Sequence, residues 1–319
     1  MEKRRFGSTG MEITPIGFGS WAIGGENWSH GWGPQDDNKA VEAIERALEY
    51  GINWIDTAAV YGLGHSEELV AKALQGRAEK PYIFTKCSLV WDSSRQITNS
   101  LKRDSLWREC EASLMRLKTD IIDLYQIHWP SPEEDIEMGW RTMAELKEEG
   151  LVKHIGVSNF DIEQMKRAQA IAPVESLQPP YSMLRRGIEK EILPFCMEQD
   201  IGVIVYSPML SGMLSGNMTR ERALNLPESD WRRNNKEFQE PRLRYNLELV
   251  EFLRTIGKKH GASPGEVAVA WTLRHPGVTA AIVGGRSSEQ VEGTIGAAEL
   301  RLAREETDAI EECLEAMQD

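Results

Sequence analysis

From residue 37 onward, stretches with helical spacing alternate with short apolar runs of strand character, and this alternation restricts the fold more than any other property of the chain. Residues 37–50 carry apolar side chains at 40, 41, 44, 47 and 48, one face of a helix, and Gly51 follows as a stop. INWID then reads as a short buried strand, and 66–74 as a helix with Glu67 and Glu68 in its first turn, where the helix dipole favours acids. The pattern repeats. YIFTK precedes a helix at 98–117, IIDLYQIH one at 132–149, HIGVSN one at 161–170 and SLQ one at 188–199. GVIVYS precedes a helix resuming near Leu243, a further helix follows at 264–275, and TAAIVGG precedes one at 287–298. An amphipathic helix closes the chain. In front stands a hairpin: RRFG, a turn at Ser8-Thr9-Gly10, then MEITPIGFGSW as the returning arm.

Eight strands, each followed by helix, imply an α/β fold with a parallel sheet. In a chain of 319 residues they suit a closed (β/α)8 TIM barrel with an N-terminal β-hairpin and an additional C-terminal helix. No linker or composition break divides the chain, so residues 1–319 read as a single domain. Residues 207–242 are long for a connection inside a compact domain, and a mobile flap over a ligand is the expectation there.

Four polar residues close three consecutive strand runs: Asp56, Tyr61 just beyond it, Lys86 and His128. Barrels of this kind place their chemistry at the strand ends of one rim. A free phenol is too weak an acid for catalysis near neutrality, and a neighbouring cation lowers its pKa. Lys86 is placed to be that cation, Asp56 to hold Lys86, and His128 to orient a carbonyl. Such a set protonates a carbonyl oxygen but supplies no hydride, so a cofactor is required. Taken singly, a strand-end Asp or His is more simply a structural hydrogen-bonder and a loop Tyr a packing group; their spacing over successive strand ends carries the argument.

The segments FGSTGMEITPIGFGSW, INWIDTAAVYGLGHSEELV, FTK, RLKTDIIDLYQIHWP, GLVKHIGVSNF, YSP and IVGGRSSEQVE together resemble the aldo-keto reductase family, over Arg4 to Ala298. The resemblance implies a nicotinamide cofactor across the C-terminal rim of the barrel and Tyr61 as general acid of an Asp56, Tyr61, Lys86 and His128 tetrad. It also implies that Ser158, Asn159 and Gln178 hold the nicotinamide carboxamide and that Tyr206 stacks on the ring. Gly19, Ser20 and Trp21 are implied at the end of the first strand, and Ser207, Pro208, Met209 and Gly212 along the pyrophosphate. Gly284, Arg286 and Gln290 complete the implied cofactor set. Arg286 precedes a helix start, where free N–H groups and a guanidinium make a phosphate site, and the family binds the NADPH 2′-phosphate there. NADPH is therefore the expected cofactor, and reduction of aldehydes or ketones the expected reaction. A cofactor-sensing or channel-associated subunit with little turnover is the alternative.

This chain shows three departures from the family pattern. Gly293-Thr294 replaces a Glu-Asn pair that contacts adenine, Asn217 stands where relatives carry Lys or Arg, and Gln290 is uncharged. GFGSWA at 17–22 matches a dinucleotide-binding fingerprint, but the sequence continues into a loop rather than a helix, which excludes a Rossmann site. Trp21, Trp28, Trp32, Trp91 and Trp129 lie near rim segments, with Trp21 and Trp129 expected as walls of the substrate pocket. The histidines show no metal-ligand spacing, so no metal is expected. A net charge of −13 disfavours nucleic acid and anionic membranes as partners. Four scattered cysteines and a charged N-terminus fit a cytoplasmic protein. Among them Cys87 follows Lys86 and reads as an ordinary strand-end thiol.

Overall fold

The computed structural model describes residues 1–26 and 28–317. Eight parallel strands close into a barrel, in chain order around the ring. They are β1 Ile16–Gly19, β2 Trp54–Asp56, β3 Tyr82–Cys87, β4 Ile122–Ile127, β5 Val152–Ser158, β6 Ser176–Gln178, β7 Gly202–Val205 and β8 Ala280–Gly284. Helices pack outside the ring, and an extra helix, Arg304–Ala316, ends the described chain. No helix among the described residues is long and apolar enough to cross a membrane.

Two apolar layers hold this architecture. Inside the barrel, Trp54, Phe84, Leu124, Ile204, Ala280 and Ile282 pack with Phe6, Met11 and Ile13 of the N-terminal segment, which plugs one end. Trp54 shows how closely this interior is filled. A Cβ on Gly17 would lie 2.2 Å from its indole, whose Nε1 donates to the Thr14 carbonyl at 2.9 Å. Between barrel and helices lies the larger layer, including Ala40, Ile44, Leu69, Leu106, Trp140, Met165 and Leu253.

Several expected elements are redrawn. The returning arm of the hairpin is two strands, not one. Glu12–Ile13 pairs with Arg4–Arg5, and Ile16–Gly19 joins the barrel. Pro15 separates them, since it has no N–H for a ladder. The helix expected at 98–117 starts at Arg103. Before it, Leu89–Trp91 and Ile97–Asn99 form an antiparallel hairpin turned by Asp92, whose carboxylate accepts from the Ser94 and Gln96 backbone N–H groups. The helix expected at 188–199 covers only Ile192–Glu198. Residues 207–242 are packed rather than an open flap. They include the helix Arg220–Leu224, and Leu210, Met213, Leu214, Met218, Leu226 and Phe238 are buried.

Candidate active site

Strand register gathers the expected residues on one rim. Gly284 pairs with Gly19, Gly19 with Asp56, and Ser158 with Gln178. Tyr61 opens the turn Tyr61–Gly64 just beyond β2. That turn is pressed against the loop after β1: a Cβ on Gly62, which has φ 63°, would lie 2.2 Å from the Gly24 carbonyl oxygen.

The four tetrad side chains converge. Lys86 Nζ donates to Asp56 Oδ2 at 2.7 Å, to the Thr57 carbonyl at 2.9 Å and to the Tyr61 hydroxyl at 3.3 Å. Gln178 Nε2 donates to the other Asp56 oxygen at 2.8 Å. The Tyr61 and His128 rings meet edge-on with centroids 5.8 Å apart. Lys86 and Asp56 are 1% and 2% exposed, so this is a buried ion pair whose remaining valences are met by Thr57 and Gln178. Desolvation pushes the Asp56 carboxyl up and the Lys86 ammonium down, while their mutual attraction opposes both shifts.

One electrostatic expectation is corrected. The Tyr61 phenol is not acidified; its pKa lies well above the usual value, first through burial and then through the charges of Asp56 and Tyr206. Lys86 sits beside it, but its charge is spent largely on Asp56. Tyr61 is thus held protonated, as a hydrogen-bond donor. His128 is held neutral, its pKa well below the ordinary value through burial and the nearby Lys86 charge. A neutral imidazole keeps one N–H to donate. Cys87 is buried, and desolvation raises its thiol well above the ordinary value, which makes it inert.

A cleft of about 1270 Å³ opens over the tetrad and runs outward between the 207–218 segment and the helix Ser288–Ile295. Its walls include Gly19, Trp21, Ser158, Asn159, Gln178, Tyr206, Ser207, Pro208, Met209, Gly212, Gly284, Arg286 and Gln290, all but one of the expected cofactor residues. Ser20 is the exception. It is fully buried, and Ser66 Oγ donates to its hydroxyl at 2.7 Å, so it braces the wall from behind. Asn159 is fixed at both ends, donating to the His128 carbonyl at 3.0 Å and accepting from the Tyr206 hydroxyl at 2.8 Å. The cleft fits a nicotinamide dinucleotide. It is elongated, it has amide and hydroxyl groups beside the tetrad, and among the described residues its lining carries five cations, Arg222, Arg232, Arg254, Lys258 and Arg286, against two carboxylates, Asp56 and Glu289.

The catalytic end is aromatic. Trp21 and Trp129 line it as expected, Trp129 remaining 44% exposed, and Trp28 and Trp32 line it as well. Trp21 stacks toward Tyr61 at 6.3 Å and on Trp231 at 5.3 Å. Trp91 is not part of the wall; it lies near the Arg116 guanidinium. Sequence reasoning missed Leu89, Ile97 and Asn99, because the hairpin that carries them was read partly as helix. It also missed His30, Arg222, Arg254 and Lys258, whose placement depends on how distant loops fold together.

Comparison with known proteins agrees with this geometry. A family model described as "Aldo/keto reductase family" matches residues 15–315. The aldo-keto reductase YhdN of Bacillus subtilis is 40% identical over 295 residues, covering 92% of this chain and 87% of the relative. The NADH-specific methylglyoxal reductase of Escherichia coli is 31% identical, with 100% of each chain covered. The solved structure of the glycerol dehydrogenase AKR11B4 from Gluconobacter oxydans superposes with a TM-score of 0.89 at 35% identity, covering 99% of this chain and 96% of that one. The chain belongs to the aldo/keto reductase family, oxidoreductases that act on small-molecule carbonyl compounds and use a nicotinamide cofactor.

Proposed function

We propose that this protein reduces aldehydes or ketones to alcohols with NADPH, with Tyr61 as the proton donor. The observation that carries this reading is the convergence of Tyr61, Lys86, Asp56 and His128 at the inner end of the cleft. A bound cofactor supplies the hydride, which no side chain provides. Ser158, Asn159, Gln178 and Tyr206, which line the cleft, would hold its nicotinamide. His128, held neutral, donates a hydrogen bond to the substrate carbonyl and orients it. Tyr61 gives its proton to that oxygen as negative charge develops there, so a phenol with a raised pKa still serves, because the incipient alkoxide is the stronger base. Lys86 then steadies the phenolate left behind, and Asp56 with Gln178 and Thr57 keeps Lys86 in place.

The cationic lining of the outer cleft favours NADPH over NADH. One relative bears an NADH-specific name, so the choice belongs to measurement. The free cysteines suit a reducing compartment such as the cytoplasm.

Substituting Tyr61→Phe tests the central role. Carbonyl reduction is expected to fall by about 10²–10⁴-fold, with cofactor affinity unchanged. Undiminished turnover in that variant removes Tyr61 from the role. Comparing kcat/KM with NADPH and with NADH decides the cofactor.

A further inference from the structure

We propose that Glu109 is a positioning residue for the substrate: through Ser88 it fixes the hairpin 89–99 as the wall of the catalytic end that selects among carbonyl compounds. The inference rests on the carbonyl-reductase reading above and adds to it a residue outside the cleft.

Glu109 lies midway along the helix Arg103–Leu117 and is half-buried, a costly place for a carboxyl group unless it is hydrogen-bonded. Each of its oxygens has one partner. Oε1 accepts from Ser105 Oγ on the same helix at 3.0 Å, and Oε2 accepts from the Ser88 backbone N–H at 2.8 Å. The second bond crosses from the helical layer to the rim. Ser88 is the first residue beyond β3, two after Lys86, and it is fully buried with φ 78°. A residue other than glycine stays in this left-handed region only where its surroundings hold it. The Glu109 carboxyl supplies that hold.

Ser88 is also a junction. Its carbonyl accepts from the Ser100 N–H at 3.0 Å, which closes the root of the hairpin. Its hydroxyl accepts from the Trp129 N–H at 3.4 Å and faces the Trp129 carbonyl at 3.5 Å. One residue earlier, the Cys87 carbonyl accepts from the His128 N–H at 3.1 Å. The hairpin itself shares no ladder with the barrel; among the described residues its two strands pair only with each other. Its place therefore depends on its root and on the face it packs. That face is catalytic. Leu89 and Ile97 pack against Ala58, Val60 and Tyr61, a cluster separate from the barrel core, and with Asn99 they line the cleft. A shift at Ser88 thus moves this wall relative to Tyr61 and Trp129. A substrate with a side chain long enough to reach the wall feels the shift, and one that ends close to its carbonyl does not. A carboxyl that only stabilised the fold would not separate the two.

Michaelis parameters for 2-naphthaldehyde and propanal at saturating reduced cofactor, with hydrogen–deuterium exchange of the amides of residues 88–100, test the role. Glu109→Leu, which offers no acceptor, is expected to raise KM for 2-naphthaldehyde by roughly three- to tenfold. Its kcat and the KM for propanal are expected to stay unchanged, the signature of lost ground-state binding. Exchange at Ser88 and Ser100 is expected to quicken. Glu109→Gln keeps an acceptor oxygen and is expected to restore the parental KM and exchange. Ser88→Gly suits φ 78°, keeps the N–H and removes the hydroxyl that meets Trp129. It is expected to raise the same KM, which keeps the inference testable if Glu109→Leu does not fold. Equal losses for the two aldehydes, a KM ratio untouched in Ser88→Gly, or failure of Glu109→Gln to restore that ratio overturns the inference. Reduction of neither aldehyde by the unsubstituted protein instead sinks the carbonyl-reductase reading on which it rests.

Discussion

Single residues decide the electrostatics here, and burial outweighs neighbouring charge at several of them. The pairing of Lys86 with Asp56 works only because Thr57 and Gln178 complete their hydrogen bonding; without these the desolvation cost would dominate. Glu109 is a second case, outside the cleft. Its carboxyl accepts from the Ser88 backbone N–H at 2.8 Å and from Ser105 Oγ at 3.0 Å, yet burial raises its pKa to about 7, with Arg108 and Arg116 pulling the other way. In the unfolded chain a glutamate titrates near 4.3. Between those values unfolding releases a proton, so stability falls as pH rises through the window, and the full penalty is present above pH 7. Its size is on the order of 3 kcal/mol. Glu109→Gln keeps an acceptor for Ser88 and removes the titration. Urea denaturation is expected to show the variant matching the parent at about pH 4.5 and exceeding it at pH 8; a difference that does not change with pH refutes the assignment. The convergence of Asp56, Tyr61, Lys86 and His128 was legible in the sequence, because strand ends fix where Asp56, Lys86 and His128 lie. The raised pKa of Tyr61 and the hydrogen bond from Arg286 to Gln35 were not, since both depend on what packs around the side chain rather than on its place in the chain.

At the scale of elements, the N-terminal hairpin has a mechanical role that supports the rim from the opposite end. Phe6 is fully buried and stacks on Phe84 at 5.8 Å, inside the cluster that fills the barrel. A Cβ on Gly202 would lie 2.4 Å from its ring, so β7 leaves room for this plug only by having a glycine there. Phe6→Ala is expected to cost about 3–5 kcal/mol of stability, while cofactor affinity in the folded variant stays unchanged because the plug and the cleft are at opposite ends of the barrel. A denaturation midpoint equal to the parent's, or a selective loss of cofactor affinity, contradicts that role. Helices with clear spacing, such as Asp37–Glu49 and Ile136–Glu148, were readable from the sequence. The hairpin at Leu89–Trp91 and Ile97–Asn99 was not. Its second strand runs directly toward the helix Arg103–Leu117, and its turn is set by the Asp92 side chain rather than by a Gly or Pro signal. Residues 207–242 misled for the opposite reason: their polar composition hid Leu210, Met213, Leu214 and Phe238, which are buried one by one without a period.

For the whole molecule, the ring closure ties ligand binding to global stability. The cleft takes residues from the ends of β1, β2, β5, β6 and β8, through Gly19, Asp56, Ser158, Gln178 and Gly284, and Tyr206 follows β7 directly. A ligand bound there contacts strands around much of the circumference. Loss of any one strand would expose the interior cluster that the others share. We propose on this ground that local opening of the rim and unfolding of the barrel are one event, which is the physical content of treating the chain as a single domain. Saturating cofactor at about 100 times its dissociation constant is expected to add roughly 2.7 kcal/mol to the unfolding free energy. Because the strands share one core, the addition is expected to move one cooperative transition intact. Equilibrium denaturation followed by tryptophan fluorescence and by circular dichroism measures both properties, since the tryptophans lie in the interior, in the helical layer and along the cleft, as Trp54, Trp140 and Trp21 do. Two separated transitions, only one of them shifted by cofactor, would mean that the rim and its loops fold independently of the barrel, and the single-domain reading would fail.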